Sequence, residues 1–377
     1  MQYRRFGQTD LALSVFSLGT MRCLSDAQAF NATVKEAIAL GINHIETARG
    51  YGNSEVFLGQ TLASLTPAEQ GQLVITTKIL PTPDPETMAR QIDESLFRLQ
   101  RERIDCLAIH GINTNKHLAW VQAPDGCMKA VRAAIAAGKV GHVGFSTHGS
   151  LAIVQAAIAS GQFAFVNLHY YYFFQRLAPA VALAHQQDMG VFIISPGDKG
   201  GMLYQPPDIL KNLCYPFSPL ALTYRWLLQD KRISTLSAGP ANGLELRALH
   251  QEVNQLPPWN RQMAAKIDAL EQQAISRLSS DRCAQCYQCL PCPEAIHIPE
   301  VLRLRNLAVA YDMTQFGQYR YNMFENAGHW FPGRRGDRCT TCGDCLPRCP
   351  EQLDIPNLLK DAHSRLSGPK RRRLWDE

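Results

Sequence analysis

Between Val15 and Ser237, short apolar runs alternate with longer stretches whose apolar positions recur every three or four residues. The first kind predicts strands and the second predicts amphipathic helices. Strands are expected at Val15–Gly19, Ile42–Thr47, Leu73–Lys78, Cys106–His110, Val140–Ser146, Phe165–His169, Gly190–Ser195 and Ser234–Ser237. Between them, Asp26–Leu40 reads as a helix opened by an acidic cap and closed by Gly41. Further helices are expected at Ser54–Ser64, Thr87–Arg101, Gly126–Ala137, Leu151–Ala159, Ala178–Met189 and Pro219–Gln229. Ahead of the first strand, Tyr3–Phe6 and Leu11–Ser14 flank a polar turn and read as a lid hairpin.

Eight strands alternating with helices over about 250 residues is the tally of an α/β protein with a (β/α)8 TIM barrel. A doubly wound sheet is the alternative, but it usually carries a glycine-rich turn from strand into helix for dinucleotides. The nearest sequence, Gly138–Gly144 (G-K-V-G-H-V-G), runs into a strand instead. The pattern breaks at Leu256, where Pro257-Pro258-Trp259 interrupts the chain and Asn260–Leu278 follows as a polar amphipathic helix. Pro299–Tyr311 and Pro356–Leu366 read as helices that start on proline. Gln315–Trp330, between the two, is rich in aromatics. The expected organisation is a barrel over residues 1–256, a helical linker over 257–282 and a smaller, mostly α-helical domain over 283–377.

Composition narrows the class. The 377 residues, 46% of them apolar, suit a large body with an appendage and a sizeable core. No run approaches the ~18 apolar residues of a membrane span, and Met1–Gly7 has no apolar export segment. A cytoplasmic protein without a membrane span is therefore expected. The net charge of +5 is spread out, with one basic run at Lys370–Arg373 that reads as a solvated tail, so no nucleic-acid partner is expected.

Cysteines define the C-terminal quarter. C-A-Q-C-Y-Q-C-L-P-C-P, from Cys283, returns as C-T-T-C-G-D-C-L-P-R-C-P, from Cys339. The echo continues from P-E-A-I-H-I-P-E-V-L into P-E-Q-L-D-I-P-N-L-L, so the region is a duplicated unit. Three thiolates at x2 intervals, then a fourth followed by proline, is the spacing that wraps a [4Fe–4S] cube; in two-cluster ferredoxins the fourth cysteine reaches the other cube. Cys283, Cys286, Cys289 and Cys349 are thus assigned to one cluster, and Cys339, Cys342, Cys345 and Cys292 to the other, in a ferredoxin-like domain. The first array has x2 rather than x3 before its last cysteine, which leaves open which cube Cys292 serves. Zinc also accepts four thiolates, but each short run would fill one ion by itself and the third x2 interval is not part of the zinc pattern. Disulfides would need an oxidising compartment. Of the remaining cysteines, Cys106 reads as strand core, Cys127 and Cys214 are scattered, and Cys23 follows the first strand near the mouth. His44, His148 and His169 are placed near the barrel rim, none as a metal ligand.

Catalytic groups of a barrel project from the C-terminal ends of its strands. Glu46, Lys78 and His110 end strands two, three and four, with Tyr51 on the loop after strand two, and together they form an acid–base set. A tyrosine protonates a carbonyl oxygen if its pKa, near 10, is pulled toward neutrality. A lysine ammonium held by a carboxylate does this. N-H-I-E-T-A-R-G-Y-G-N-S-E (Asn43–Glu55), T-T-K-I (Thr76–Ile79), A-I-H-G (Ala108–Gly111) and G-K-V-G-H-V-G-F-S-T-H (Gly138–His148) resemble, in order, motifs of the aldo-keto reductases. The resemblance runs from about Tyr3 to about Leu249. It implies a barrel binding NAD(P)H without a Rossmann motif, with Tyr51 as proton donor, Lys78 and Glu46 tuning it and His110 positioning a small-molecule carbonyl. It also implies that Ser146, Thr147 and Asn167 hold the carboxamide, and that Ser195, Gly239 and Asn242 contact the cofactor. The combination with a cysteine-rich C-terminus resembles a subfamily with a ferredoxin-type domain.

Two positions depart from the family. Its aspartate is Glu46 here, one methylene longer, which is expected to shift the lysine or retract the strand end. Glu245 falls where a cation would face the 2′-phosphate of NADP, leaving only Arg247 to compensate, so NADP(H) and NAD(H) both stay open. The expected function is an NAD(P)H-dependent carbonyl (or quinone-like) reductase with two [4Fe–4S] clusters as accessory redox centres. Two alternatives are a one-electron conduit to a partner such as ferredoxin, and clusters that are purely structural or oxygen-sensing. A hydride carries two electrons and each cluster takes one, a gap that proteins usually bridge with a flavin or radical chemistry.

Overall fold

The computed structural model describes residues 1–368; the basic run Lys370–Arg373 lies outside them. The chain divides into two compact units, one of Met1–Gly200 with Tyr224–Leu256, the other of Gly201–Thr223 with the chain from Pro257 onward.

In the first unit, β1 (Tyr3–Arg5) and β2 (Ala12–Ser14) form an antiparallel hairpin. Eight parallel strands follow: β3 (Phe16–Gly19), β4 (His44–Glu46), β5 (Val74–Ile79), β6 (Ile104–His110), β7 (Val140–Ser146), β8 (Phe165–Leu168), β9 (Gly190–Ile193) and β10 (Thr235–Ala238). β10 pairs with β3 and closes a TIM barrel. β8 and β9 stop short of His169 and Ser195; Ser195 lies beyond β9 in the left-handed region at φ 53°. The hairpin delivers Phe6, fully buried against Phe165 and Phe192 at the start of the strands. A Cβ on Gly190 would stand 2.4 Å from the Phe6 ring, so this strand position needs glycine to admit the plug. The reading of this segment as a lid is thus refined: it packs at the end opposite the catalytic strand termini.

Helices not anticipated from the sequence form at Pro67–Gly71, Asn115–Gln122, Asp208–Cys214 and Gly243–Asn254. The last begins inside the segment expected to be a cofactor loop, because the Asn242 side chain accepts from the Glu245 N–H at 3.0 Å and caps it.

His44 is not at the rim. It is fully buried in the barrel interior, bonded through Nδ1 to Ser17 Oγ at 2.6 Å and through Nε2 to Thr76 Oγ1 at 2.7 Å. Thr235 Oγ1 donates to the Ser14 carbonyl and stands 2.6 Å from Ser17 Oγ. The protons then run one way: Ser17 donates to Thr235, His44 Nδ1–H donates to Ser17, and Nε2 accepts from Thr76. The ring must be neutral, and burial, aided by the Lys78 charge, lowers its pKa to about 3. An unfolded histidine takes its proton near pH ~6.5. Barrel stability should therefore decrease as pH is lowered through this interval, by up to about 1.4 kcal/mol per pH unit. Denaturant midpoints at pH 7 and pH 5 measure this; an unchanged pH slope in His44→Gln would contradict it.

In the second unit the helix Ile298–Tyr311 is central, packed by Arg261–Leu278, Thr314–Tyr321 and Ile355–Leu366. Its two apolar faces and even its charges are buried, so Glu300, Arg303 and Arg305 need partners. Arg303 pairs with Glu300 at 2.6 Å, and Arg305 pairs with Asp361 at 2.7 Å and Asp281 at 3.3 Å.

Candidate active site and cluster cavities

The barrel register sets the first site. His110 is level with Ser146, and Ser146 with Asn167, across β6, β7 and β8. On the other side of the mouth, β4 and β5 carry Glu46 and Lys78, both almost fully buried. Lys78 Nζ lies 3.0 Å from Glu46 Oε1 and donates to the Thr47 carbonyl at 2.9 Å. It also sits 4.8 Å from the centre of the Tyr51 ring, which meets His110 edge-on at 5.9 Å. The four groups expected to form an acid–base set are brought together.

The electrostatic balance differs from the sequence expectation. Burial raises the Tyr51 hydroxyl above the ordinary tyrosine value; Lys78 pulls it down by charge and hydrogen bonding, and Glu46 pushes it up. Desolvation wins, so Tyr51 is a neutral phenol at physiological pH rather than one drawn toward neutrality. Burial lowers Lys78, but Glu46 and Tyr51 outweigh it and the net direction is up, so the ammonium persists.

Glu46 does not push the lysine aside. Its extra methylene lets Oε1 also accept from Asn167 Nδ2 at 2.5 Å, a bond that spans the barrel from β4 to β8. Asn167 Oδ1, fully buried, has no partner among the described residues. Ser146 Oγ accepts from the Gly111 N–H at 3.1 Å, which leaves its own proton to give. Thr147 is committed to the loop: its hydroxyl donates to the Ile112 carbonyl at 2.7 Å and accepts from the Gly149 N–H at 2.9 Å. After β10, the Gly239 carbonyl accepts from Arg22 at 2.9 Å and Asn242 serves as the helix cap. Glu245 accepts from the Ala241 N–H at 2.8 Å and stands 3.3 Å from Arg22, while Arg247 is bound to Glu36 at 2.8 Å. Sequence reasoning missed Arg22, although it follows the first strand in S-L-G-T-M-R. Cys23 is buried, its thiol pushed up to about 12 by burial, in keeping with an ordinary core placement.

The second unit holds two cavities that divide the eight arrayed cysteines four and four. Cys283, Cys286, Cys289 and Cys349 line one, and Cys292, Cys339, Cys342 and Cys345 line the other. The loops repeat their backbone: Gln285 and Tyr287 have positive φ around Cys286, as Thr341 and Gly343 do around Cys342. Such alternation turns successive N–H groups toward an enclosed anion. Among the described residues no three His, Cys, Asp or Glu side chains converge as a single ion requires. Four separated thiols around a largely apolar cavity suit a multi-iron cube rather than a zinc ion. Burial, with repulsion from neighbouring cysteines, raises the Cys289 thiol to about 12, so iron must displace its proton.

Comparison with known proteins finds two family matches along the chain. Residues 16–204 match the aldo/keto reductase family, and residues 271–353 match the 4Fe-4S dicluster domain. The L-glyceraldehyde 3-phosphate reductase of Escherichia coli K12 is 25% identical over 315 residues, 74% of this chain and 81% of that protein. The NADH-specific methylglyoxal reductase of Escherichia coli K12 is 34% identical over 134 residues, 28% of this chain and 40% of that protein. An aldo-keto reductase from Bacillus halodurans superposes with a TM-score of 0.61 at 20% identity, covering 71% of this chain and 95% of that one. No described helix is long and apolar enough to cross a membrane. With half of its length matched, the chain belongs to the aldo/keto reductase family and carries a C-terminal 4Fe-4S dicluster domain, an oxidoreductase by family.

Proposed function

We propose that the chain reduces small aldehydes with NADH and holds two [4Fe–4S] clusters as accessory redox centres. The observation that carries this is the convergence of Tyr51, Lys78, Glu46 and His110 at one mouth of the barrel. NAD(P)H, when bound, supplies a hydride to the carbonyl carbon. Tyr51 gives its proton to the carbonyl oxygen, so the product is the alcohol, and solvent returns the proton to the phenolate. Lys78 stabilises that phenolate, and Glu46 keeps Lys78 charged. His110, edge-on to Tyr51, orients the oxygen. Ser146 has a proton to give and Asn167 an acceptor to fill, the complement of a primary carboxamide. The Glu46–Asn167 bond supports this reading because it turns Oδ1 of the amide away from Glu46.

The preference for NADH rests on Glu245, which stands against Arg22, and on the pairing of Arg247 with Glu36, so that both arginines near the loop after β10 already face a carboxylate rather than a 2′-phosphate. The relatives named for glyceraldehyde 3-phosphate and methylglyoxal, one of them NADH-specific, support short aldehydes as the substrate class. Anaerobic assays with both cofactors and a panel of such aldehydes should give the higher kcat/KM with NADH. Glu245→Gln should improve NADPH use by about tenfold, equivalent to ~1.4 kcal/mol. No aldehyde-dependent oxidation of either cofactor would overturn the reductase reading. A second reading, a one-electron conduit, is favoured by one observation: each cavity takes one cysteine from the other array, Cys349 in one and Cys292 in the other, which ties the two sites together. Bleaching of the clusters by NADH in the same assay, before any aldehyde is added, would select it.

A further inference from the structure

We propose that Arg348 makes the two cluster sites electrically unequal, so that the cube held by Cys292, Cys339, Cys342 and Cys345 is the easier to reduce. The two arrays share their cysteine spacing except for one inserted residue: L-P-C closes the first and L-P-R-C the second, and the insertion is Arg348; the second also has Asp344 where the first has Gln288, but Asp344 does not line the cavity. Its guanidinium is pinned across both arrays, Nε donating to the Asp344 carbonyl at 2.9 Å and Nη2 to the Pro291 carbonyl at 2.8 Å. Half-buried, it lines the cavity of Cys292, Cys339, Cys342 and Cys345. Glu294 shares that wall, but Arg334 stands 3.7 Å from it and offsets its charge. Among the described residues the other cavity has no cation in its wall, and Glu351 lines it.

An added electron is stabilised by a fixed positive charge nearby and opposed by a negative one, and cluster potentials follow that local charge. Arginine keeps its charge at any working pH, so the bias does not titrate away. Pinning by two carbonyls also keeps the charge in place, where a free surface arginine would swing into solvent. Electrons entering the domain singly would then settle first on the Arg348 side. Each step is one electron passing from a reductant such as dithionite to one cube, with no bond made or broken. The inference rests on the assignment of the eight cysteines to two cubes.

The test is an anaerobic redox titration of the full-length iron-loaded protein, followed by EPR and visible absorbance, after iron has been counted. Wild type should show two one-electron waves. Arg348→Gln should shift the upper wave to lower potential by about 59 mV, a tenfold change for a one-electron couple, and leave the lower wave in place. Arg348→Lys keeps the charge but not the double pinning, and should move the upper wave less than Arg348→Gln does. Glu351→Gln, which leaves Arg348 untouched, should raise the lower wave and narrow the gap. An unmoved upper wave in Arg348→Gln, an equal shift in Arg348→Lys, or movement of the lower wave in Arg348→Gln overturns the proposal with two cubes still present. Wild-type iron far below about eight atoms per chain would instead remove the ligand assignment, and the proposal with it.

Discussion

Phenylalanine at position 51 should lower kcat for aldehyde reduction by about 10²–10⁴-fold, the range that a positioned general acid contributes. The change deletes one hydroxyl and keeps the ring that packs edge-on to His110 above Lys78. NADH affinity and iron content should therefore stay at the wild-type level, which separates a lost proton donor from a damaged barrel. The pH profile adds a second readout. Because burial holds the Tyr51 hydroxyl above the ordinary tyrosine value, the acid is present throughout the neutral range. Wild-type kcat should run flat there and decline only at alkaline pH, as the proton is lost. Undiminished turnover by Tyr51→Phe would move the acid to another group and dismantle the proposed mechanism.

Glu300→Gln should destabilise the second unit by about 3–5 kcal/mol, the usual effect of removing one partner from a buried ion pair. Glu300 and Arg303 are each about 95% buried on the central helix, so in the variant the guanidinium keeps its charge there without the carboxylate that balances it. Burial by itself would raise Glu300, but Arg303, by charge and hydrogen bonds, with Arg320 and His297, outweighs burial and holds it at about 2. An unfolded glutamate titrates near ~4.3. The pair's contribution is thus complete above that value and is lost as pH falls through the interval toward about 2. Thermal loss of the visible cluster absorbance follows this unit. The expected result is a lower midpoint in Glu300→Gln at pH 7 and convergence with wild type in acid. Glu300→Leu combined with Arg303→Met, which removes both charges, should recover most of the loss; an equal loss in the double variant would assign the effect to packing.

Much of the architecture was legible in the chain because it is written in local spacing. Apolar runs alternating with 3.6-residue periodicity gave eight strands in the order the barrel uses, with boundaries displaced by a residue or two at His169 and Ser195. The cysteine arrays were legible for the same reason, since an x2 interval limits where three sulfurs can sit. The helix Gly243–Asn254 also left a local trace, Asn242 with Glu245 three residues on. That trace competes with the cofactor roles expected of Gly239 and Asn242, which point to a loop at the same place. His44 was misplaced because alternation tells which face of a strand a residue takes but not how far from the rim it lies.

The chain alone determined the repeating elements, the two cysteine arrays and the candidate acid–base residues, all properties of neighbours in sequence. Only the closed barrel decided that Glu46 meets Asn167, 121 residues away, and that desolvation outweighs Lys78 at Tyr51. Packing likewise decided that Arg348 lines one cluster cavity and not the other. The reason is physical: periodicity and loop length act through covalent connection, whereas solvation and through-space charge depend on which distant segments exclude water from a group.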